Sequence, residues 1–316
     1  MHISYSRFGC YMSCPYKHYL SYVERLESKR PVRPLFFGTD FHKLLELRKD
    51  PEAVQQAKEE ITDKFYEMPA SWQSDIGENY PDDLWSIFTD YQQVWDGRML
   101  PTKTEQKFEI PLFDDTYFVG VIDELYKRKH NGKKYIKIGE HKTFSRKPDP
   151  NFLIMNTQKS LYSKAVQILY GMLPKTVLWD YIKSTPAKSP IWLPKSNRFS
   201  TAKSKDITPM SFLRECNRMG IEDESVLQQA NLYKDNISEF FFRREVDVIP
   251  EMTEQIWDGF VYTCKDIVNR GEGNKTKNVT RDCSYCGFRN ICHAEMTGGD
   301  RNEIIKLEYT KKREKR

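Results

Sequence analysis

The chain predicts an α/β fold, a mixed central sheet flanked by helices and carrying helical elaborations. Three observations point there. Residues 107–141 hold three consecutive segments rich in β-branched and aromatic side chains, broken by Asp114-Asp115 and by His130-Asn131-Gly132, the pattern of an antiparallel meander. A helical period follows at about 157–170, ends near Gly171, and leads into another apolar strand at 175–182. Helical periods also precede the meander. Helices, three strands, helix and strand in that order give an α/β core with a mixed sheet.

Element by element, the segment up to about Val23 mixes aromatic residues with a helical pattern at Tyr11, Cys14, His18 and Tyr19. A turn-like stretch, Lys29 to Pro34, separates it from a helix expected to begin at Gly38, with Thr39 or Asp40 as N-cap. Helices are expected near 51–67 and 82–97, the second aligning Leu84, Ile87, Phe88, Tyr91 and Val94 on one face. Strands are expected at Lys107–Phe113, Thr116–Tyr126 and Lys134–His141. Beyond 182 come short helices at about 209–218 and 224–234, a strand at Glu239–Val248, and a longer helix at about 251–270. No internal repeat or linker interrupts this order. Residues 1–300 are therefore expected to form one domain, with 301–316 as a basic tail.

Composition narrows the function classes. Hydrophobic residues make up 39% and charged residues 30%, and no apolar run approaches the ~20 residues of a membrane span. The N-terminal residues lack the apolar core of a secretory signal, so a cytoplasmic protein with no membrane partner is expected. The net charge is +5, most of it in the last six residues, which carry five bases and one acid. A globally basic wrapper of nucleic acid is thereby excluded. A local basic surface is not. Residues 182–205 contain Lys183, Lys188, Lys195, Arg198, Lys203 and Lys205 with no acid, interleaved with Trp192 and Phe199. That mixture suits phosphate neutralisation and base stacking; it equally describes a solvated Ser/Pro/Lys loop.

Two constellations carry chemistry. The first is acidic. Asp123 ends the apolar strand 117–123, while Glu140 and Lys142, two apart on the next strand, share a face with Ile136 and Ile138. Adjacent strands can bring the three to one point. Carboxylates there suit Mg²⁺ or Mn²⁺, which take oxygen ligands, and a lysine beside them can orient an attacking water. The second is sulfur-rich. Seven cysteines in a long chain without a secretory signal point to ligation or burial, not disulfides. Cys264 falls on an apolar helix face with Ile256, Phe260 and Ile267, and Cys216 on a short helix, so both are expected in cores. Cys283, Cys286 and Cys292 place three soft ligands within ten residues. Spacing alone leaves zinc, with His293 as a ligand, and an iron–sulfur cluster both open.

These motifs, in this order, resemble the PD-(D/E)XK nuclease superfamily, and more narrowly its RecB-like iron–sulfur branch, which includes AddB-type subunits, CRISPR-associated exonucleases and their phage relatives. Gly120-Val-Ile-Asp123 is similar to the family's Gly-x-x-Asp strand and Glu140-His141-Lys142 to its (D/E)-x-K. Gln158-x-x-x-Tyr162 falls on the next helix, and Gly38-x-x-x-His42 resembles the upstream histidine motif. The resemblance spans Ser4 to about Glu295 and implies a restriction-endonuclease-like core. It implies Asp123, Glu140 and His42 as ligands of the catalytic Mg²⁺ or Mn²⁺, with the backbone carbonyl of His141 contributing. Lys142 would position the nucleophile, and Gln158 and Tyr162 would support the site and contact DNA. Glu140 stands where many relatives carry Asp.

The resemblance also implies a 4Fe–4S cluster held by Cys283, Cys286, Cys292 and Cys14 of Cys14-Pro15, with Cys10 as the fallback and zinc as the alternative metal. The function expected is a metal-dependent DNA exonuclease in recombination, repair or end processing. It would act on single-stranded or frayed DNA in a bacterial host cytoplasm if phage-encoded. The 316 residues contain no Gly-x-x-x-x-Gly-Lys-Ser/Thr phosphate loop, so unwinding would fall to a helicase or recombination partner. The competing expectation is a catalytically silent DNA-binding or recombination accessory protein with a structural cluster or zinc site.

Overall fold

The computed structural model describes residues 1–95, 100–130, 132–200, 202 and 204–312. Six strands form one mixed sheet: β1 (His2–Ser4), β2 (Lys103–Phe113), β3 (Thr116–His130), β4 (Lys133–Phe144), β5 (Thr176–Lys183) and β6 (Phe241–Asp247). The meander is present, with β2, β3 and β4 antiparallel in sequence. Parallel pairing enters twice, between β1 and β3 and between β4 and β5, and β6 closes the far edge antiparallel to β5.

The register explains where a site can open. Along one edge of β3 the partner is β2, from Lys103 opposite Leu125 to Phe113 opposite Thr116. The other edge is divided. β1 pairs with Tyr117–Val119, and β4 pairs with Glu124–His130. The intervening residues 120–123 lie between these two ladders. Past Gly139, β4 leaves β3 but stays paired to β5 as far as Phe144. The sheet therefore parts at Asp123 on one side and at Glu140 and Lys142 on the other.

Helices cover both faces. On one face α1 (Tyr5–Ser13), α6 (Thr157–Tyr170) and α8 (Pro250–Arg270) enclose a core containing Phe118, Ile122, Ile138, Leu161, Trp179 and Phe260. On the other, α2 (Arg33–Leu47), α3 (Pro51–Tyr66) and α4 (Tyr80–Trp95) bury Phe37, Phe41, Phe65, Phe88 and Tyr91 against Ile182 and Phe241. The short α5 (Pro150–Ile154) lies between β4 and α6. A third cluster, with Tyr16, Leu20, Phe288, Ile291 and Tyr309, joins the first segment to α9 (Arg289–Thr297), and Leu26–Ser28 pairs antiparallel with Tyr309–Lys311. A fourth, around Phe199, Phe212 and Cys216, serves residues 192–236.

Several expectations need correction. α2 starts at Arg33, not at Gly38, with Val32 as its N-cap, because Pro34 sits in the first turn, where its missing N–H costs nothing. Thr39 and Asp40 are inside the helix, and Asp40 is buried, accepting the Tyr80 hydroxyl at 2.7 Å. Residues 224–234 form one helical turn, Glu224–Leu227, followed by a 3₁₀ stretch. Residues 239–240 close a short helix before β6 begins. β1 and the helix Ala70–Ile76 had no expected counterpart. The segment read as a tail is helical over Arg301–Glu308 before its short strand. Asn131 of the turn and residues 96–97 of the expected helix lie outside the described residues, as do 313–316. Cys264 and Cys216 are fully buried, as their helical faces require.

Candidate active site and cysteine cavity

Gly120 opens the Gly-x-x-Asp strand for a steric reason. A Cβ there would lie 2.5 Å from Cζ of Phe108 and 3.2 Å from the Tyr162 hydroxyl, so glycine lets both rings lie against the backbone. Three residues on, Asp123 sits where the β3–β4 ladder ends. Its Oδ2 accepts the backbone N–H of His141 at 2.8 Å, continuing the pairing with a side chain in place of a carbonyl. His42, on α2, brings Nδ1 to 3.9 Å from the same oxygen.

Glu140 is 2% exposed. Its Oε2 accepts Gln158 Nε2 at 2.9 Å and Lys142 Nζ at 3.3 Å, while Oε1 is buried without a hydrogen-bond partner. Burial, reinforced by Asp123 and opposed by Lys142, pushes the Glu140 carboxyl up to about 8. Burial would lower the Lys142 ammonium, but Glu140 and then Asp123 outweigh it and raise it. Burial lowers His42 against the opposing pull of Asp123. Tyr162, one turn after Gln158 on α6, is buried at the same place, and burial with the charge of Glu140 raises its hydroxyl well above the usual range.

Sequence reasoning missed one residue. Glu105 on β2 lies between Thr104, paired with Glu124, and Gln106, paired with Ile122, and with His42 and Asp123 it forms a group whose ligand atoms all lie within 4.8 Å of one another. Its φ of +46° is unusual for a residue with a Cβ and marks a local kink in β2. Burial, then Asp123 and Glu46, push its carboxyl up to about 7. Two carboxylates, an imidazole, and the unpartnered oxygen of Glu140 nearby form a hard donor set. It fits Mg²⁺ or Mn²⁺ better than a soft ion.

His141 points the other way, as alternation along a strand demands. Its fully buried ring lies between two carboxylates, Nε2 3.3 Å from Glu124 and Nδ1 3.4 Å from Asp180, as ion-pair contacts and not aligned hydrogen bonds. Glu124 is held by Arg48 at 2.5 Å and by the Tyr126 hydroxyl. Asp180 is held by Arg243 at 2.7 Å and Tyr91 at 2.6 Å. Burial would raise both carboxyls, but His141 with these partners holds Glu124 well below the usual range and lowers Asp180. Burial opposes protonation of His141, yet Asp180 and Glu124 push it up to about 10.

The four expected cluster cysteines converge. Cys14, Cys283, Cys286 and Cys292 line one cavity of about 180 Å³, together with Lys17, Lys277 and His293. All four are partly exposed and free, and burial, followed by the neighbouring Cys286, pushes the Cys292 thiol up to about 11. Cys10 is close in sequence but does not line the cavity.

The basic segment is less uniform than its sequence. Lys188 and Lys183 lie 2.8 and 3.9 Å from Asp206, just past the acid-free stretch. Phe199 is 1% exposed and packs on Phe212, so it is a core residue and not a stacking platform. Trp192 is half-buried, edge-on to Phe199. Lys195, Arg198 and Lys205 are exposed, and Lys203 lies outside the described residues.

Comparison with known proteins adds a family. The model of the PD-(D/E)XK nuclease superfamily matches residues 2–293. Among solved structures, a "putative exonuclease" from Eubacterium rectale is similar at 12% identity and a TM-score of 0.45, over 95% of this chain and 94% of that one. The protein SSO0001 is similar at 13% identity and a TM-score of 0.33, over 87% of this chain and 92% of that one. No curated protein matches the chain.

Proposed function

The chain belongs to the PD-(D/E)XK nuclease superfamily, and from that premise we propose that it is a divalent-metal-dependent deoxyribonuclease, an exonuclease of the RecB-like iron–sulfur branch. The observation carrying this reading is the parting of the sheet, which gathers Asp123, Glu140, Lys142 and His42 around one point. Asp123, Glu140 and His42 would hold Mg²⁺ or Mn²⁺, with the His141 carbonyl contributing. The bound cation would polarise the scissile phosphate and lower the pKa of a bound water. Lys142 orients that water for in-line attack and offsets charge developing on the phosphate. Gln158 fixes the Glu140 carboxylate through its 2.9 Å hydrogen bond, and Tyr162 walls the site. As the water oxygen bonds to phosphorus the P–O bond opposite it breaks, the water releases a proton to solvent and the leaving oxygen takes one up, so one phosphate end and one hydroxyl end result.

In the same reading Cys14, Cys283, Cys286 and Cys292 hold a 4Fe–4S cluster that staples the last segment to the first within one nuclease domain of residues 1–300. The staple is structural. Zinc is the alternative metal, with His293, which lines the same cavity, as a ligand. DNA is the substrate class that the superfamily implies. Recombination, repair or end processing, a phage origin and a helicase partner belong to this proposal too.

The test is digestion of end-labelled single- and double-stranded DNA, with circular controls, by wild type and Lys142→Ala in Mg²⁺ or Mn²⁺. Loss of end-dependent degradation in the variant is expected. Equal degradation by both proteins would overturn the assignment and favour a catalytically silent DNA-binding protein. An anaerobic preparation should be brown, absorbing near ~400 nm; a colourless one containing zinc would replace the cluster.

A further inference from the structure

A groove of about 450 Å³ leads away from Lys142 between β4, β5 and α5. Its floor is aromatic. Phe144, Trp179 and Tyr181 line it, with Tyr181 stacked on Phe242 behind at 4.9 Å between ring centres. Arg146 lines one side and Phe152 of α5 the other. Phe152 is 63% exposed, and Met155, at the end of the same helix, is 72% exposed. No Asp or Glu lines the groove. Lys147 is engaged outside it, by Glu239 at 2.9 Å, and the nearby Asp149 accepts the Asn151 N–H as the cap of α5.

We propose that this groove, and not the basic segment 182–205, carries the single-stranded DNA flanking the scissile phosphate, with phosphates drawn by Lys142 and Arg146 and a base packed on Phe152. The proposal rests on the nuclease reading and names where its substrate lies. Three features select this occupant. The groove is continuous with the reacting point, because Lys142 belongs to both. Arg146 stands on a wall that no Asp or Glu lines, and such a cation selects a polyanion. Phe152 is the exposed ring, the rings of the floor being buried, and an exposed ring selects a chain whose base faces are uncovered, which a duplex does not offer. The rival segment fits less well: Lys183 and Lys188 are engaged by Asp206, and Phe199 is buried.

Binding without turnover separates the possibilities. Fluorescence anisotropy in EDTA would use a labelled oligothymidylate and a duplex of equal length. Phe152→Ala should weaken single-strand binding about tenfold, with little change for the duplex, because stacking contributes roughly 1–3 kcal/mol per base. Arg146→Ala should weaken it and reduce the slope of log affinity against log salt by roughly one phosphate contact. With Mn²⁺, Phe152→Ala should raise the KM for the oligonucleotide, and an unchanged circular dichroism spectrum and urea midpoint verify the fold. Wild-type binding by both variants would overturn the groove while leaving the nuclease reading in place. So would a loss confined to Lys195→Ala and Arg198→Ala. A wild-type protein that neither binds nor cuts DNA would overturn both.

Discussion

The two faces of β4 at residues 140–142 hold charge in opposite ways. Towards α6, Glu140 is buried with one oxygen unpartnered and its carboxyl driven up. Towards α2 and α4, His141 is buried equally deeply, but Glu124, Asp180, Arg48, Arg243, Tyr91 and Tyr126 close around it into a chain of alternating charge. Burial is common to both faces, so burial does not explain the difference. Partners do. A buried charge needs compensation, and the α2 side holds more of it: two carboxylates and two arginines surround His141, whereas Glu140 has Lys142 at 3.3 Å and Gln158 at 2.9 Å on a single oxygen. The α6 side leaves Glu140 Oε1 open, as the proposed cation site requires, while the α2 side fixes the strand that carries it.

Breaking the satisfied side should have the largest effect on stability. Arg243→Ala leaves Asp180 short of its strongest partner and is expected to lower unfolding free energy by ~3–5 kcal/mol in urea titrations. A loss below about 1 kcal/mol would mean that the network is not holding β4 and β5. Glu140→Gln should behave in the opposite sense. The folded carboxyl titrates near 8 against 4.5 for the ordinary group. Its contribution is therefore complete below about 4.5 and is lost as pH rises through about 8, because the unfolded chain releases a proton that the fold retains. Metal-free wild type should lose stability across that window relative to Glu140→Gln, while the variant fails to cleave DNA. Parallel stability curves for the two proteins would contradict the raised titration of the buried Glu140 carboxyl. The smallest effect belongs to Glu105→Gln, which should raise the Mn²⁺ concentration for half-maximal cleavage roughly tenfold. An unchanged value would remove Glu105 from the metal site.

The contrast also explains what could be read from the sequence. Gly120, Asp123, Glu140, Lys142 and Gln158 sit in short motifs on regular elements, so periodicity alone placed them on adjacent strands and the following helix. The three clustered cysteines were visible by spacing. The partners of His141 were not, because Arg48, Glu124, Asp180 and Arg243 are scattered along the chain and meet only through sheet register, His141 facing Asp180 across β4 and β5. Glu105 escaped for a local reason: Lys103-Thr-Glu-Gln106 is polar and reads as a loop, yet β3 pairs along it. Phe199 looked available beside so many lysines because a two-strand hairpin, Trp192–Leu193 with Arg198–Phe199, carries too few residues to show a period.

The division of the β3 edge has a consequence for the order in which the molecule is built. His2–Ser4 lies beside Tyr117–Val119, and Leu26–Ser28 beside Tyr309–Lys311. As the chain leaves the ribosome, β1 has no neighbour until Tyr117–Val119 has emerged, and Cys14 waits still longer for Cys283, Cys286 and Cys292. Such distant pairings make for slow closure. The residues of β1 thus find their places late, and the cysteine cavity can be filled only after Cys292 has been made.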